Sequence, residues 1–227
     1  MSDAPAVEAL GDDALLVRFG ERIDAALNRR VHDAAARIAA ALPGLVDVVP
    51  GYASLGVHYD WRRWTFEALA DALRAALADD AAIALAEPRV VEIPVRYDGP
   101  DLADVAQRAG LTEADVIARH AGAEYTAAML GFAPGFAYLL GLDPTIATPR
   151  RATPRTRVPA GSVAIGGAQT AVYPSALPGG WNLIGRTPLA LFDLARDPPN
   201  RVAPGDRVRF RAVGPDEFDA LSTKNPA

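Results

Sequence analysis

Residues 131–192 constrain this chain more than any other stretch: GFAPGFAYLLGLDPTIATPRRATPRTRVPAGSVAIGGAQTAVYPSALPGGWNLIGRTPLALF. Glycine and proline recur every few residues. No long helix survives that punctuation, because proline removes a backbone donor and fixes φ while glycine offers no side chain to pack. What remains are strand-length apolar runs at residues 125–130, 162–165, 171–173, 181–184 and, further on, 208–212. Short strands between Gly and Pro corners predict a closed or nearly closed β structure. Loops held at such corners by a rigid scaffold are where function concentrates. Five arginines, with Gln169, Tyr173, Trp181 and Asn182, are set among these runs and are candidates for a site.

The chain before this stretch reads differently. Residues 14–19 form a strand, and residues 23–42 carry Ile23, Leu27, Val31 and Ile38 at helical spacing until Pro43-Gly44 ends the pattern. Strands at 45–49 and 54–59 flank the turn dipeptide Pro50-Gly51. Thr65 is placed to cap a helix over 66–78, with Ala68 at its third position and Phe66, Leu69, Leu73 and Leu77 on one face. A further strand at 81–86 or 89–95 would complete the split βαβ order of a ferredoxin-like domain, expected over residues 1–87. Pro88, between Glu87 and Arg89, marks the passage into a second domain, residues 88–221, which opens with a strand at 90–97. Asp101 is expected to cap a helix over 102–109 that Gly110 stops. Thr112 and Asp115 form a capping box for a helix ending at His120. The polar tail, 222–227, is expected to fray.

Composition narrows the partners. With a net charge of -5 and a pI near 5.2, the chain has no overall basic field to gather nucleic acid or an anionic membrane. The absence of cysteine removes disulfides and thiolate chemistry and fits a reducing compartment. No apolar run approaches the ~18 residues of a membrane span, so a cytoplasmic location is expected. Of the 23 basic side chains, Lys224 is the only lysine. A P-loop or a biotin-carrying lysine cannot be built here, so a phosphate or carboxylate has to be held by arginine or by backbone amides.

Arg150, Arg151, Arg155 and Arg157 lie between Pro149, Pro154 and Pro159, which stiffen the segment. Such a guanidinium cluster suits bidentate binding of an anion, although charge runs are also common on solvated loops. Phe132, Pro134 and Gly135 sit in a tight glycine turn, either for close approach of a ligand or as a structural corner. Trp181 and Arg186 pair an aromatic plane with a cation, but their odd separation puts them on opposite strand faces unless Gly185 introduces a bulge. Gln169 and Tyr173 share a face. His120 could serve as a general acid or base, or simply meet the helix dipole. His, Asp and Glu show no metal-ligand spacing, so no metal site is expected in this chain.

The segments HAGAEYTAAMLGFAPGFAYLLGLDP, PRRATPRTRVPAGSVAIGGAQTAVYP, PGGWNLIGRTPLALFD and PGDRVRF, with GDDALLVRFG and VVPGYASLGVHYD upstream, resemble the B subunit of bacterial ATP-dependent 5-oxoprolinase. That family is also called allophanate hydrolase subunit 1 or the Kip kinase-inhibitor family. The resemblance implies an α+β chain with a ferredoxin-like N-terminal domain and a cyclophilin-like β-barrel domain. It implies work with two companions, a homologous barrel protein that forms the C subunit, and the separate A subunit, to open 5-oxoproline to glutamate with ATP. Magnesium would be held partly by one of those companions, with no biotin attached to this chain. Residues implied to line the site are His120, Phe132, Pro134, Gly135, Arg155, Gln169, Trp181 and Arg186. Two alternatives stay open: a carboxyltransferase role of the urea carboxylase kind, and inhibition of a histidine kinase.

Overall fold

The computed structural model describes residues 5–78 and 87–224, and the chain divides into two units between Glu87 and Pro88. The first contains strands β1 (Ala6–Ala9) and β2 (Ala14–Arg18), helix α1 (Ala25–Ala41), strands β3 (Asp47–Pro50) and β4 (Ser54–His58), and helix α2 (Phe66–Ala78). Its strands form an antiparallel sheet in the order β1-β2-β4-β3, in which β1 is an addition to the sequence expectation. Helix α1 starts later than its apolar spacing suggests. Asp24 is the N-cap, accepting from the Leu27 N–H, which leaves Ile23 outside the helix and 57% exposed. Thr65 caps α2 as expected, through the Ala68 N–H at 3.2 Å. Val31, Ile38, Leu69 and Leu73 from the helices pack with Leu15, Val17, Leu55 and Val57 from the sheet. Of the two segments offered as a further strand here, 81–86 lies outside the described residues and 89–95 belongs to the sheet of the second unit.

The second unit runs through β5 (Val90–Val95), α3 (Leu102–Ala109), α4 (Glu113–Gly122), β6 (Glu124–Leu130), β7 (Ala137–Leu140), a 3-10 turn (Pro144–Ile146), β8 (Arg155–Val158), β9 (Ser162–Gly166), β10 (Gln169–Val172), β11 (Leu177–Gly179), β12 (Asn182–Arg186), β13 (Arg207–Ala212) and α5 (Pro215–Lys224). Seven strands make one sheet in the order β12-β9-β10-β7-β6-β13-β5. Its two ends meet where Arg96 and Arg186 exchange N–H···O=C bonds of 2.9 Å, giving a nearly closed barrel. The interior is solid, filled by Ile93, Val95, Tyr125, Leu139, Val163, Ile165, Val172, Ile184 and Phe210.

A second apolar layer lies outside the barrel. The two-stranded ribbon of β8 and β11 brings Val158 and Leu177 onto Ala164, Ala171 and Leu183, with Phe136, Tyr173 and Trp181 completing the layer. Strands β9, β10 and β12 are thus covered on both faces, which is why they read as unbroken apolar runs. The floor under this layer has to be small: a Cβ added to Gly166 would fall within the Trp181 ring. Gly166→Ala is expected to lower stability by about 1–3 kcal/mol through overpacking, read from urea denaturation. Of the tail expected to fray, residues 222–224 lie in α5, where the Ser222 hydroxyl donates to the Phe218 carbonyl at 2.9 Å, and 225–227 lie outside the described residues.

Candidate functional site

The ribbon positions the arginine cluster. Arg151 N–H donates to the Gly180 carbonyl at 2.7 Å, and Asn182 Nδ2 donates to the Pro149 carbonyl at 2.9 Å, so the segment entering β8 is tied to the start of β12. Arg150 then lies over the Trp181 ring, its guanidinium carbon 5.7 Å from the centroid. Trp181 is packed edge-on against Phe136, which in turn meets Tyr138, Tyr173 and Phe132 at 4.9, 5.4 and 5.3 Å between centroids. An aromatic row therefore runs from buried Trp181, under Arg150, to Phe132, which is 59% exposed.

Asp101 organises the cationic side. The sequence reads it as a helix cap, yet its side chain makes no cap bond to α3. Instead Arg151 Nη1 and Arg155 Nη2 both donate to Oδ1, at 2.7 and 2.8 Å, while the Leu183 N–H donates to Oδ2 at 2.7 Å. Burial works to raise the Asp101 pKa, but the hydrogen bonds from Arg155 and Leu183 and the two cations outweigh it and hold the carboxyl below its ordinary value. Two guanidinium groups on one carboxylate leave an excess positive charge. Arg151 Nε and Arg155 Nη1 are buried without an acceptor. Arg150 and Arg157 are exposed and, among the described residues, in no ion pair. The rim is thus a cationic, donor-rich surface beside an aromatic row, suited to a carboxylate or phosphate.

The other candidates fall into three groups. Phe132 and Pro134 are exposed in the turn, where Phe132 adopts φ 67°, an unusual backbone for a bulky residue. Gly135, at φ 82°, is needed for a structural reason: a Cβ there would meet Phe192 Cβ at 2.6 Å, so the close approach is to the chain itself. Gln169 and Tyr173 are both buried, at 8% and 2% exposure, and the phenol of Tyr173 is on the outer, aromatic side. Arg186 does not join Trp181. A bulge, the condition for the two to share a face, is present between Leu183 and Gly185, but the Arg186 side chain pairs with Asp98 at 3.0 Å and stacks on Phe218.

His120 lies inside the barrel and is fully buried. Its Nε2 is 2.9 Å from Thr170 Oγ1 and its Nδ1 2.7 Å from the Tyr97 hydroxyl. Thr170 spends its hydrogen on the Ala164 carbonyl at 3.0 Å, so its oxygen accepts from Nε2–H and Tyr97 donates to Nδ1. The ring is neutral and fully bonded, packed on Phe210 at 4.5 Å, and burial pushes its pKa down to about 3. That is the environment of a structural histidine, not of a proton shuttle in contact with the rim. Adjacent residues of a strand face opposite ways, so Thr170, bonded to His120, and Gln169 lie on different faces of β10. At the rim, sequence reasoning missed Asp101 as the arginine anchor, and Asn182, a candidate in the sequence, serves as the tie to Pro149. No local signal links Asp101 to arginines 50 and 54 residues away.

The family model described as carboxyltransferase domain, subdomain C and D, matches residues 5–202. The chain is 42% identical over 233 residues to the B subunit of 5-oxoprolinase from Bacillus subtilis (strain 168), covering 96% of this chain and 97% of that protein. The crystal structure of TTHA0988 is similar with a TM-score of 0.78 and 42% identity, over 88% of this chain and 40% of the solved one, so this chain spans less than half of that protein. The urea carboxylase of Kluyveromyces lactis shares the fold, with a TM-score of 0.76 over 97% of this chain and 23% of that one, at 21% identity.

Proposed function

Because the chain belongs to the family of 5-oxoprolinase B subunits, we propose that it is the B subunit of a multi-component ATP-dependent 5-oxoprolinase, supplying the cationic rim as part of a composite site. The observation that carries the reading is the near end-to-end match to a 5-oxoprolinase B subunit. The chemistry of the rim supports it. A lactam carbonyl is a poor electrophile, and its activation by phosphoryl transfer gathers negative charge that guanidinium groups stabilise. Arg150 and Arg157 would face the carboxylate of 5-oxoproline or a phosphate of ATP, while Arg151 and Arg155, anchored on Asp101, fix the field behind them. Among the described residues, no three His, Cys, Asp or Glu side chains gather as metal ligands would. Asp101, the carboxylate at the rim, is already taken by two guanidinium groups and the Leu183 N–H, so magnesium would be held partly by a companion polypeptide, which would also supply the remainder of the nucleotide site. No helix among the described residues is long and apolar enough to cross a membrane.

The test is reconstitution. The A and C subunits with this chain should hydrolyse 5-oxoproline with ATP cleavage, and full activity with this chain omitted would overturn the proposal. Arg150→Gln is expected to lower kcat/KM about tenfold or more with an unchanged melting temperature, the loss of one charge-assisted contact. Activity lost on omission but untouched by Arg150→Gln would keep this chain in the complex and remove the rim from the site. The carboxyltransferase family model favours a second reading, carboxyl transfer. Turnover that requires a biotinylated carrier, and no ATP-dependent lactam opening, would establish it instead.

A further inference from the structure

The loop between β12 and β13 carries two arginines, Arg196 and Arg201, that no carboxylate among the described residues neutralises. It folds back on itself: the Arg201 N–H donates to the Leu191 carbonyl at 2.8 Å, the Asp193 N–H to the Pro199 carbonyl at 3.0 Å, and Phe192 pairs with Asn200. This closure aims both side chains at one acceptor. Arg196 Nη2 and Arg201 Nε donate to the Ala190 carbonyl oxygen at 3.2 and 2.9 Å.

Several other arginines of this unit rest on acids: Arg89 on Asp206, Arg151 and Arg155 on Asp101, Arg207 and Arg209 on Glu124, Arg211 on Glu92. Among the described residues, Arg196 and Arg201 have no such partner. The acids of the loop are turned elsewhere, with Asp193 Oδ1 accepting the Ala195 N–H at 2.9 Å and Asp197 exposed. Like charges sharing a neutral carbonyl, both half-buried, repel one another. Burial, and then the charge of Arg196, lowers the Arg201 pKa. Two polar atoms are also left over: Arg196 Nη1 is buried without an acceptor, and Asn200 Oδ1 is buried without a donor.

We propose that Arg196 and Arg201 form an oxyanion-binding site, one that takes a carboxylate or phosphate group and is built from residues other than those of the Arg150 rim. A bound oxyanion supplies the missing negative charge, gives Arg196 Nη1 its acceptor and suits the planar donors of two guanidinium groups. A ligand that also carries a hydrogen-bond donor satisfies Asn200 Oδ1. Hydrogen phosphate and an amino acid share that chemistry.

The experiment follows the guanidinium Nε–H resonances of protein labelled with 15N-arginine. Arg196→Gln and Arg201→Gln each remove one resonance and so assign it. Inorganic phosphate and L-glutamate are then titrated in separate arms. Both resonances should shift saturably in at least one arm, and each single variant should weaken the response of the remaining arginine about tenfold or more, the loss of a charge-assisted hydrogen bond. The arm that saturates names the source. Resonances that stay still in both arms, or an unchanged midpoint in both variants, would overturn the proposal. Should either variant fail to fold, the conservative Arg196→Lys or Arg201→Lys removes the same resonance and assigns it for the wild-type titration. Any response of Arg150 or Arg157 is read separately, so failure here leaves the reading of the rim intact.

Discussion

Replacing Asp101 with alanine will lower the stability of the protein by about 3–5 kcal/mol, the usual cost of stranding the partners of a buried charge. The Asp101 side chain is 4% exposed and binds two guanidinium groups and the Leu183 N–H. Its loss leaves those donors with no acceptor and frees the segment entering β8 from the start of α3. Arg151→Gln, by contrast, removes one of two arginines and should cost about 1 kcal/mol, because Arg155 still answers the carboxylate. Urea denaturation of both variants checks the order. A loss below about 1 kcal/mol in Asp101→Ala would show that water takes over the role of the carboxylate. The pH dependence has a definite sign. The folded pKa of Asp101 is depressed, so its contribution is present above the unfolded value and is lost as pH falls through the lower folded one.

His120 gives the second large effect. Its pKa falls from 6.5 to about 3 on burial, so the unfolded chain takes up a proton that the folded barrel refuses. Unfolding therefore binds protons below pH 6.5, and stability declines as pH drops from there toward 3, by about 1.4 kcal/mol per pH unit once fully engaged. Between pH 7 and pH 5 the expected loss from this residue is about 2 kcal/mol. His120→Gln should be less stable at pH 7, where the bonds to Tyr97 and Thr170 are disturbed, but should lack this part of the slope. Chemical denaturation of the two proteins at both pH values measures the difference. Identical slopes would mean that His120 takes up its proton as readily in the fold as in the unfolded chain, against the bonding pattern described above.

Much of the architecture was legible in the sequence because it rests on local chemistry. The Thr112–Asp115 capping box, Gly110 in the left-handed region and Thr65 at the start of α2 all act within a few residues, and all occur as read. The apolar runs located β6, β9, β10, β12 and β13. The strands β8 and β11 were hidden because their pairing depends on each other and on the layer beneath, not on their own alternation. The site was half legible. Proline-braced arginines and the Trp181 plane mark the rim, and Arg150 does lie over Trp181. Two partnerships could not be read. Asp101 has the local signature of a cap, and that reading conceals its service to distant arginines. His120 has the residue type of a catalyst, and only the enclosing Tyr97, Tyr125, Thr170 and Phe210 show that it is locked away.

The hydrogen bonds between Arg96 and Arg186 have a consequence for assembly. With the Gly99 and Asp101 N–H groups donating to the Ile184 and Leu183 carbonyls beside that bridge, the edge of β12 is taken up, so another polypeptide cannot extend the sheet by laying a strand along β12. Whatever docks at that seam has to recognise it through side chains and loop tips, and exposed Phe132 and Leu194 are tips of this kind on the barrel. Substitutions at those tips should therefore alter the choice of companion without disturbing the cylinder that carries them.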